Sequence, residues 1–383
     1  MRVADYASAA TAIEPTVTGK TRAVGPDLFR ALAILMVMLW HLPTAARAGA
    51  LADLHTWGWL GVDMFFVLSG YLIGSQLMTR MARGQGIDFA DFYLRRAFRI
   101  LPAYLAVLAL YLLIPTMHEH AGMQPAWRFL TFTMNLDLNP SVTGTFSSAW
   151  SLCVEEHFYL VTPLILLALR GRARWLGPLI VVGVLAFGMA LRWTQWSRYA
   201  ALPEPNWQLF MQWIYYPTWC RMDGLLLGVC LAAARTFRPQ LVGRWLPGWA
   251  ALVAGLGVLA VSVLVLGDQG VQLDHVGATF GYPLFCLACA LLLSASIDAD
   301  PWLARIPLPG LAGLATLSYS LYLVHKAVYK LDDNWLAAKA LSGWPAFALY
   351  ACTVLVAALA LHFVVERPFL KLRDRVLARR SAA

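Results

Sequence analysis

The sequence predicts an all-α polytopic membrane protein with about ten transmembrane helices and both termini in the cytoplasm. Three observations lead there. The 383 residues are 60% hydrophobic and only 13% charged, about half the charged fraction of a soluble domain. The apolar residues gather into runs of roughly 18–22, the length that crosses a bilayer core as a helix. Basic residues cluster in alternate connecting segments, the pattern that holds those segments on the cytoplasmic side.

Taken in order, the runs lie near residues 28–46, 56–78, 100–117, 150–169, 175–191, 212–234, 246–266, 276–297, 310–330 and 344–365. Most of the 30 basic residues fall on one side. These are Arg30 and the lead before it, then Arg80, Arg83, Arg95, Arg96 and Arg99, then Arg170, Arg172 and Arg174. Arg235, Arg238, Arg244 and Arg305 follow, and the tail continues the series from Arg367 to Arg380. The other side holds Arg47, Arg128, Arg192, Arg198, Lys326, Lys330 and Lys339, while Arg221 sits within a span. An even number of crossings returns the chain to its starting side, in agreement with this assignment. The net charge of +9 therefore reads as topology and not as affinity for nucleic acid.

The expected organisation is a flexible cytoplasmic lead at 1–25, one membrane domain at 26–370 and a basic cytoplasmic tail at 371–383 suited to lipid headgroups. The lead has no apolar h-region, so no cleaved signal peptide is expected. The stretch "NLDLNPSVTGTFSSAW" within 118–149 is rich in turn formers and predicts a structured outer loop. The six cysteines all fall in or beside apolar runs, and Cys286 and Cys289 read as small packing residues. Most of the sixteen Trp read as an interfacial belt. Gly70 and Gly74 form a G-x-x-x-G suited to close helix packing. No metal-ligand set, P-loop or serine-nucleophile elbow is present in the sequence.

Ionisable residues inside the spans carry the functional signal, because they are costly in a bilayer and normally face the bundle interior or a wet cavity. Asp63 interrupts "GVDMFFVLSG", and the topology places it in the outer half of its helix. His41 ends the first span on the same side; Glu155, Glu156 and His157 open the fourth; Arg221 and Asp223 lie in the sixth; His325 and Lys326 lie in the ninth. Five helices thus send titratable groups to a similar depth. Arg30 and His41 are eleven residues apart, about three helical turns, so they share a face roughly 16 Å apart. A neutral histidine with Asp63 or Glu155 as partner suits general-base work. Asp63 has two available partners, His41 and a neighbouring arginine such as Arg221. Arg95, Arg96 and Arg99 form either a topological anchor or an anion grip at the inner surface. A transporter or flippase for a glycolipid or small acidic substrate, or a non-catalytic assembly partner, could also carry such residues.

Seven segments then form a set: "DLFRALAILMVMLWH", "GVDMFFVLSGYLI", "FYLRRAFRILPAYL", "SSAWSLCVEEHFYL", "RMDGLLLGVCLA", "LSYSLYLVHKAV" and "VERPFLKL". In content and order they resemble the membrane acyltransferase-3 family, integral-membrane O-acyltransferases of bacterial surface glycans, from about residue 26 to 370. The resemblance implies a multi-pass protein of the bacterial inner (cytoplasmic) membrane. It takes an acyl group, usually acetyl, from cytoplasmic acyl-CoA and transfers it to a hydroxyl of a glycan or related acceptor at the outer side. It implies no permanently bound cofactor, with acyl-CoA (acetyl-CoA) as donor substrate. The family's essential arginine and histidine fall on Arg30 and His41, and its aspartate on Asp63. Its arginine cluster falls on Arg95, Arg96 and Arg99, its acidic pair on Glu155 and Glu156, and its ninth-helix histidine on His325. On this reading His41, Asp63, Glu155 and Glu156 are catalytic, and Arg30, Arg95, Arg96, Arg99, Arg221 and His325 bind substrate. The sequence departs from the family at Leu28 and Phe29, at Lys326 and Ala327, and at His157. It shows no hydrolase-like segment after the tenth run, so transfer is expected directly to the acceptor or through a separate extracytoplasmic partner protein.

Overall fold

The structure is a computed structural model of the chain. It describes residues 23–169, 172, 175–267, 270–336 and 341–382. Most of the expected lead, with Arg2, Lys20 and Arg22, lies outside the described residues, as do Arg170, Arg174 and Lys339.

Each of the ten apolar runs contains helix. The long elements are α1 (Val24–His41), α2 (Gly61–Ala82), α3 (Phe89–Leu113), α4 (Ala149–Leu169) and α5 (Leu176–Ala200). They continue with α6 (Asp223–Phe237), α7 (Gly248–Leu266), α8 (Tyr282–Asp298), α9 (Leu311–Leu336) and α10 (Gly343–Leu361). A π turn at His362–Glu366 joins α10 to α11 (Arg367–Ala382), so the basic tail is helical. Among the described residues no strand forms, and an isolated bridge between Met123 and Gly144 is the only extended pairing.

Among the described residues, eight helices are long and apolar enough to cross a membrane, or nine if the bent pair Asp223–Phe237 and Pro239–Trp245 is one span. Helix α9 is not among them. It carries Lys326, Lys330, Asp332 and Asp333 in its second half, which makes it the most polar of the expected spans. The run at 212–234 is not one continuous helix. A π turn at Met211–Tyr215 and a short 3-10 turn at Thr218–Cys220 precede α6. Pro217 lies between those turns and cannot donate a backbone N–H to continue the helical ladder.

Backbone exposed by such a break must be satisfied inside the protein, because lipid offers no hydrogen bonds. Arg192 of α5 does this. Its guanidinium donates to Cys220 O at 2.5 Å and to Thr279 O at 3.2 Å. It is fully buried, so it is an internal brace and not the outer-loop cation the charge pattern suggested. Asn135 of the 118–149 connection donates to Tyr216 O and to Thr218 Oγ1, and His157 shares that hydroxyl.

Helix α2 is the central column and the most buried span. Small residues bring its neighbours against it. A Cβ at Gly70 would stand 2.1 Å from Leu225 O, and one at Gly228 would stand 2.2 Å from Val67 O. Helices α2 and α6 therefore touch backbone to backbone, the geometry that small residues permit in a membrane. On the other side, Gly58 and Gly61 press a 3-10 turn (Gly58–Leu60) and the start of α2 against α1, where added Cβ atoms would meet Met36 O and Ala33 O at 2.5 Å. Gly70→Val is expected to lower thermal stability in detergent by about 1–3 kcal/mol or more, from overpacking against backbone that cannot yield. Gly257→Ala, where no atom lies within 4 Å, is the matched control and should leave the melting midpoint unchanged.

Candidate active site

His41 ends α1 and His325 lies in α9, and the two rings meet. Their centroids are 4.8 Å apart and His325 Nε2 lies 3.2 Å from His41 Nδ1. Main-chain carbonyls fix both tautomers, since a carbonyl only accepts. His41 Nδ1–H donates to Val37 O at 2.9 Å, and His325 Nδ1–H donates to Tyr322 O at 2.8 Å. His325 Nε2 is then a lone pair facing the His41 N–H. The remaining nitrogen of His41, Nε2, carries a lone pair and has no protein partner among the described residues. Both ring orientations follow from ordinary helix geometry, each Nδ1 reaching back to a carbonyl three or four residues earlier.

His41 also lines two cavities. One is small, about 40 Å³, and is walled by Trp40, Trp59, Trp150, Met211, Tyr215 and Tyr322 among others. The other is a broad cleft of about 520 Å³ lined by Arg47, Glu119, Lys326, Lys330 and Asp333. Lys326 donates to Ser147 Oγ at 2.6 Å and stands 3.7 Å from Glu119. Glu119 also accepts from Tyr111 OH at 2.7 Å and from Phe146 N–H at 3.1 Å. Burial alone would raise the Glu119 carboxyl, but the Lys326 charge and these donors outweigh it and hold it below its ordinary value.

Asp63 does not touch His41. Both its oxygens accept from Arg221 Nη2 at 2.8 Å. Arg221 lies over the rings of Tyr282 and Tyr215, 4.1 and 4.5 Å from their centroids, and 5.4 Å from that of Trp150. Beside it, Arg192 binds Asp223 at 2.7 Å. All four side chains are essentially buried. Of the two partners open to Asp63 in the sequence, the structure has the arginine. The expectation that Asp63 or Glu155 orients His41 is corrected: the Val37 carbonyl and His325 do so. The reason is rotational. Asp63 opens α2 on the face that meets the 216–222 break and α8, and Cys286 of α8 approaches the same carboxylate at 3.9 Å.

Glu155 is likewise turned away. It accepts from Ser69 Oγ at 3.1 Å and from Tyr159 OH. Arg96 covers the Tyr159 ring at 4.8 Å and has no ion-pair partner among the described residues. Glu156 Oε1 is buried with no partner there. Three other expected substrate-binding arginines are bonded to carboxylates: Arg30 to Asp27, Arg95 to Asp91 and Arg99 to Glu366, each at 2.9 Å. Glu366 is itself buried and accepts from Ser320 at 2.8 Å. The described residues hold no cluster that could ligate a metal.

Sequence reasoning named His41 and His325 but not their contact. It missed Trp59, Ser147, Ser148 and Glu119. The available signals were the turn "TGTFSSAW" and the short "WGWLG", where Trp59 was read with the interfacial belt although it is 1% exposed.

The acyltransferase domain family matches residues 24–363. The chain belongs to the acyltransferase-3 family. It is 25% identical over 361 residues to the peptidoglycan O-acetyltransferase OatA of Listeria monocytogenes, an alignment covering 90% of this chain and 55% of that protein. It is 26% identical over 373 residues to the O-acetyltransferase OatA of Staphylococcus aureus, covering 91% and 57%. The chain thus spans little more than half the length of these relatives. No solved structure matches it. The match begins with α1 and ends inside the π turn that carries His362, so it includes every residue of the site described above except Glu366.

Two outcomes follow from these contacts. Asp63→Asn leaves a buried guanidinium uncompensated and is expected to destabilise the protein by about 3–5 kcal/mol, whereas Asp63→Leu with Arg221→Met should recover much of that loss. Thermal unfolding of the single and double variants in detergent checks it. For Glu119 the folded value lies below the ordinary 4.5. Its stabilisation is therefore present above that pH and is lost as pH falls through the lower folded value. Glu119→Gln should flatten the loss of stability below about pH 4.5, read from melting midpoints across an acid pH series.

Proposed function

We propose that the chain is an O-acyltransferase of the inner membrane. It moves an acyl group, in the first instance acetyl, from cytoplasmic acyl-CoA to a hydroxyl of a cell-envelope glycan on the outer side. The names of the relatives support acetyl transfer, and the name of the Listeria protein supports peptidoglycan as the acceptor class. The single observation that carries the chemistry is the His41 tautomer. With Nδ1–H donated to Val37 O and His325, the free Nε2 is a base that borders both an enclosed pocket and an open cleft.

In this reading the acceptor occupies the broad cleft and its hydroxyl approaches Nε2. His41 removes the proton as the oxygen attacks the acyl carbon. The imidazolium keeps its Nδ1–H bonds to Val37 O and to the His325 lone pair, which do here what a carboxylate does in a Ser-His-Asp triad. The proton then goes to the departing thiolate of CoA. The CoA phosphates are held at the inner surface, with Arg96 as the arginine not committed to a carboxylate and with Arg30, Arg95 and Arg99 exchanging theirs for phosphate. Asp63 and Arg221 shape the site from beside it and take no proton. Both termini lie in the cytoplasm, as the basic loops require.

Purified protein in lipid vesicles, given radiolabelled acetyl-CoA and a peptidoglycan fragment, should place label on the glycan. His41→Ala should reduce that rate by roughly 10²- to 10⁴-fold with an unchanged melting midpoint. A folded His41→Ala that transfers at the wild-type rate removes the base assignment. Uptake of label without modification of any acceptor supports a transporter instead.

A further inference from the structure

The small cavity beside His41 contains two unsatisfied groups. Trp59 Nε1 and Ser148 Oγ are both buried without a hydrogen-bond partner among the described residues, and both residues line this pocket. Their side chains belong to residues 1% and 4% exposed. A buried donor left without an acceptor costs about 1–3 kcal/mol. Two of them at one cavity, which a histidine with a free ring nitrogen also borders, point to an acceptor that is not part of the protein.

The fold constrains both positions. Trp59 sits in the 3-10 turn that Gly58 lets approach α1 to within 2.5 Å of Met36 O for an added Cβ, and its ring is held edge-on by Tyr215 and Tyr282. Ser148 follows Phe146, which has the left-handed φ of 55°, an uncommon conformation for a bulky residue. The turn is locked by Glu119 on the Phe146 N–H and by the Phe146 ring against Tyr111 and Phe129. Tyr322 OH fixes the next link by donating to Ser148 O at 2.9 Å. Backbone strain held in this way is found where a side chain must be presented in one place.

We propose that this pocket receives the acyl group of the donor, with Trp59 Nε1–H and Ser148 Oγ–H donating to its carbonyl oxygen; this rests on the acyl-transfer reading given above. The volume of about 40 Å³ holds about three water-sized groups at roughly 10–15 Å³ each, the count of non-hydrogen atoms in acetyl. The aromatic walls keep water away and favour the methyl group. As the acceptor oxygen bonds to the acyl carbon and His41 Nε2 takes its proton, the carbonyl π pair moves onto the oxygen held by Trp59 and Ser148. When the pair returns, the carbon–sulfur bond breaks and the thiolate takes the proton from His41. Donors aimed at that oxygen stabilise the charge that develops on it.

The test uses the full-length protein in vesicles with acetyl-, propionyl- and butyryl-CoA as donors and a peptidoglycan fragment as acceptor. Trp59→Phe removes one N–H and keeps an aromatic ring, and Ser148→Ala removes one hydroxyl. Each should lower kcat with acetyl-CoA by roughly 10²-fold, with the donor KM, the pH profile and the melting midpoint little changed. Met211→Ala, which widens the pocket without touching either donor, should raise the butyryl-to-acetyl rate ratio by roughly tenfold or more. Both donor variants retaining wild-type kcat, or a wild type that already transfers butyryl as fast as acetyl, overturns the proposal while leaving the transferase reading intact. A folded wild type that transfers no acyl group from any of the three donors overturns that reading and this proposal with it.

Discussion

Two buried ion pairs, Arg221 with Asp63 and Arg192 with Asp223, hold the molecule in register. A charge in a low-dielectric interior is tolerated only with a partner and saturated geometry. Here the arginines also meet needs that helices cannot. Arg192 satisfies the carbonyls freed where the chain breaks before α6 and in the π turn Gly277–Gly281 that leads into α8. Arg221 spreads its charge over the faces of Tyr215 and Tyr282. Those same aromatics hold Trp59, and Tyr215 also walls the small pocket. The chain break, the position of α2 and the shape of the pocket are thus consequences of one charge arrangement.

The histidine pair answers a different problem. A carboxylate next to His41 would fix its tautomer and strengthen it as a base, but would add a charge in the membrane. A main-chain carbonyl and a neutral imidazole fix the tautomer without one. The nearest charges are kept a step away, on Lys326 and Glu119, which neutralise each other in the lining of the cleft.

Much of this was legible in the sequence because bilayers impose simple arithmetic. Spans announced themselves by length, and Asp63, Arg221, His41 and His325 stood out because polar residues are rare in such runs. The G-x-x-x-G at Gly70 and Gly74 gave the α2 packing face, which meets α6. What could not be read was rotation. Depth along a helix follows from counting, but whether Asp63 points at His41 or at Arg221 depends on how α2 is turned, and that is set by glycines that act through contacts distant in sequence. Charge arithmetic likewise placed Arg192 in an outer loop, since a cation near a helix end looks the same whether it faces water or a broken backbone. For Trp59 and Ser148 the signals were only local, a tryptophan among sixteen and a serine in a turn, and neither tells that the side chain borders a cavity.

The backbone contact between α2 and α6 has a mechanical consequence. Where two helices meet through glycine, no side-chain layer exists that can slide or compress, so the pair moves as one rigid body. A passage to His41 cannot be opened by prising these helices apart. Compliance is left to surfaces packed through long side chains, such as α3 with Arg96 and α4 with Tyr159. The α2–α6 pair is the fixed frame on which the neighbouring helices rest.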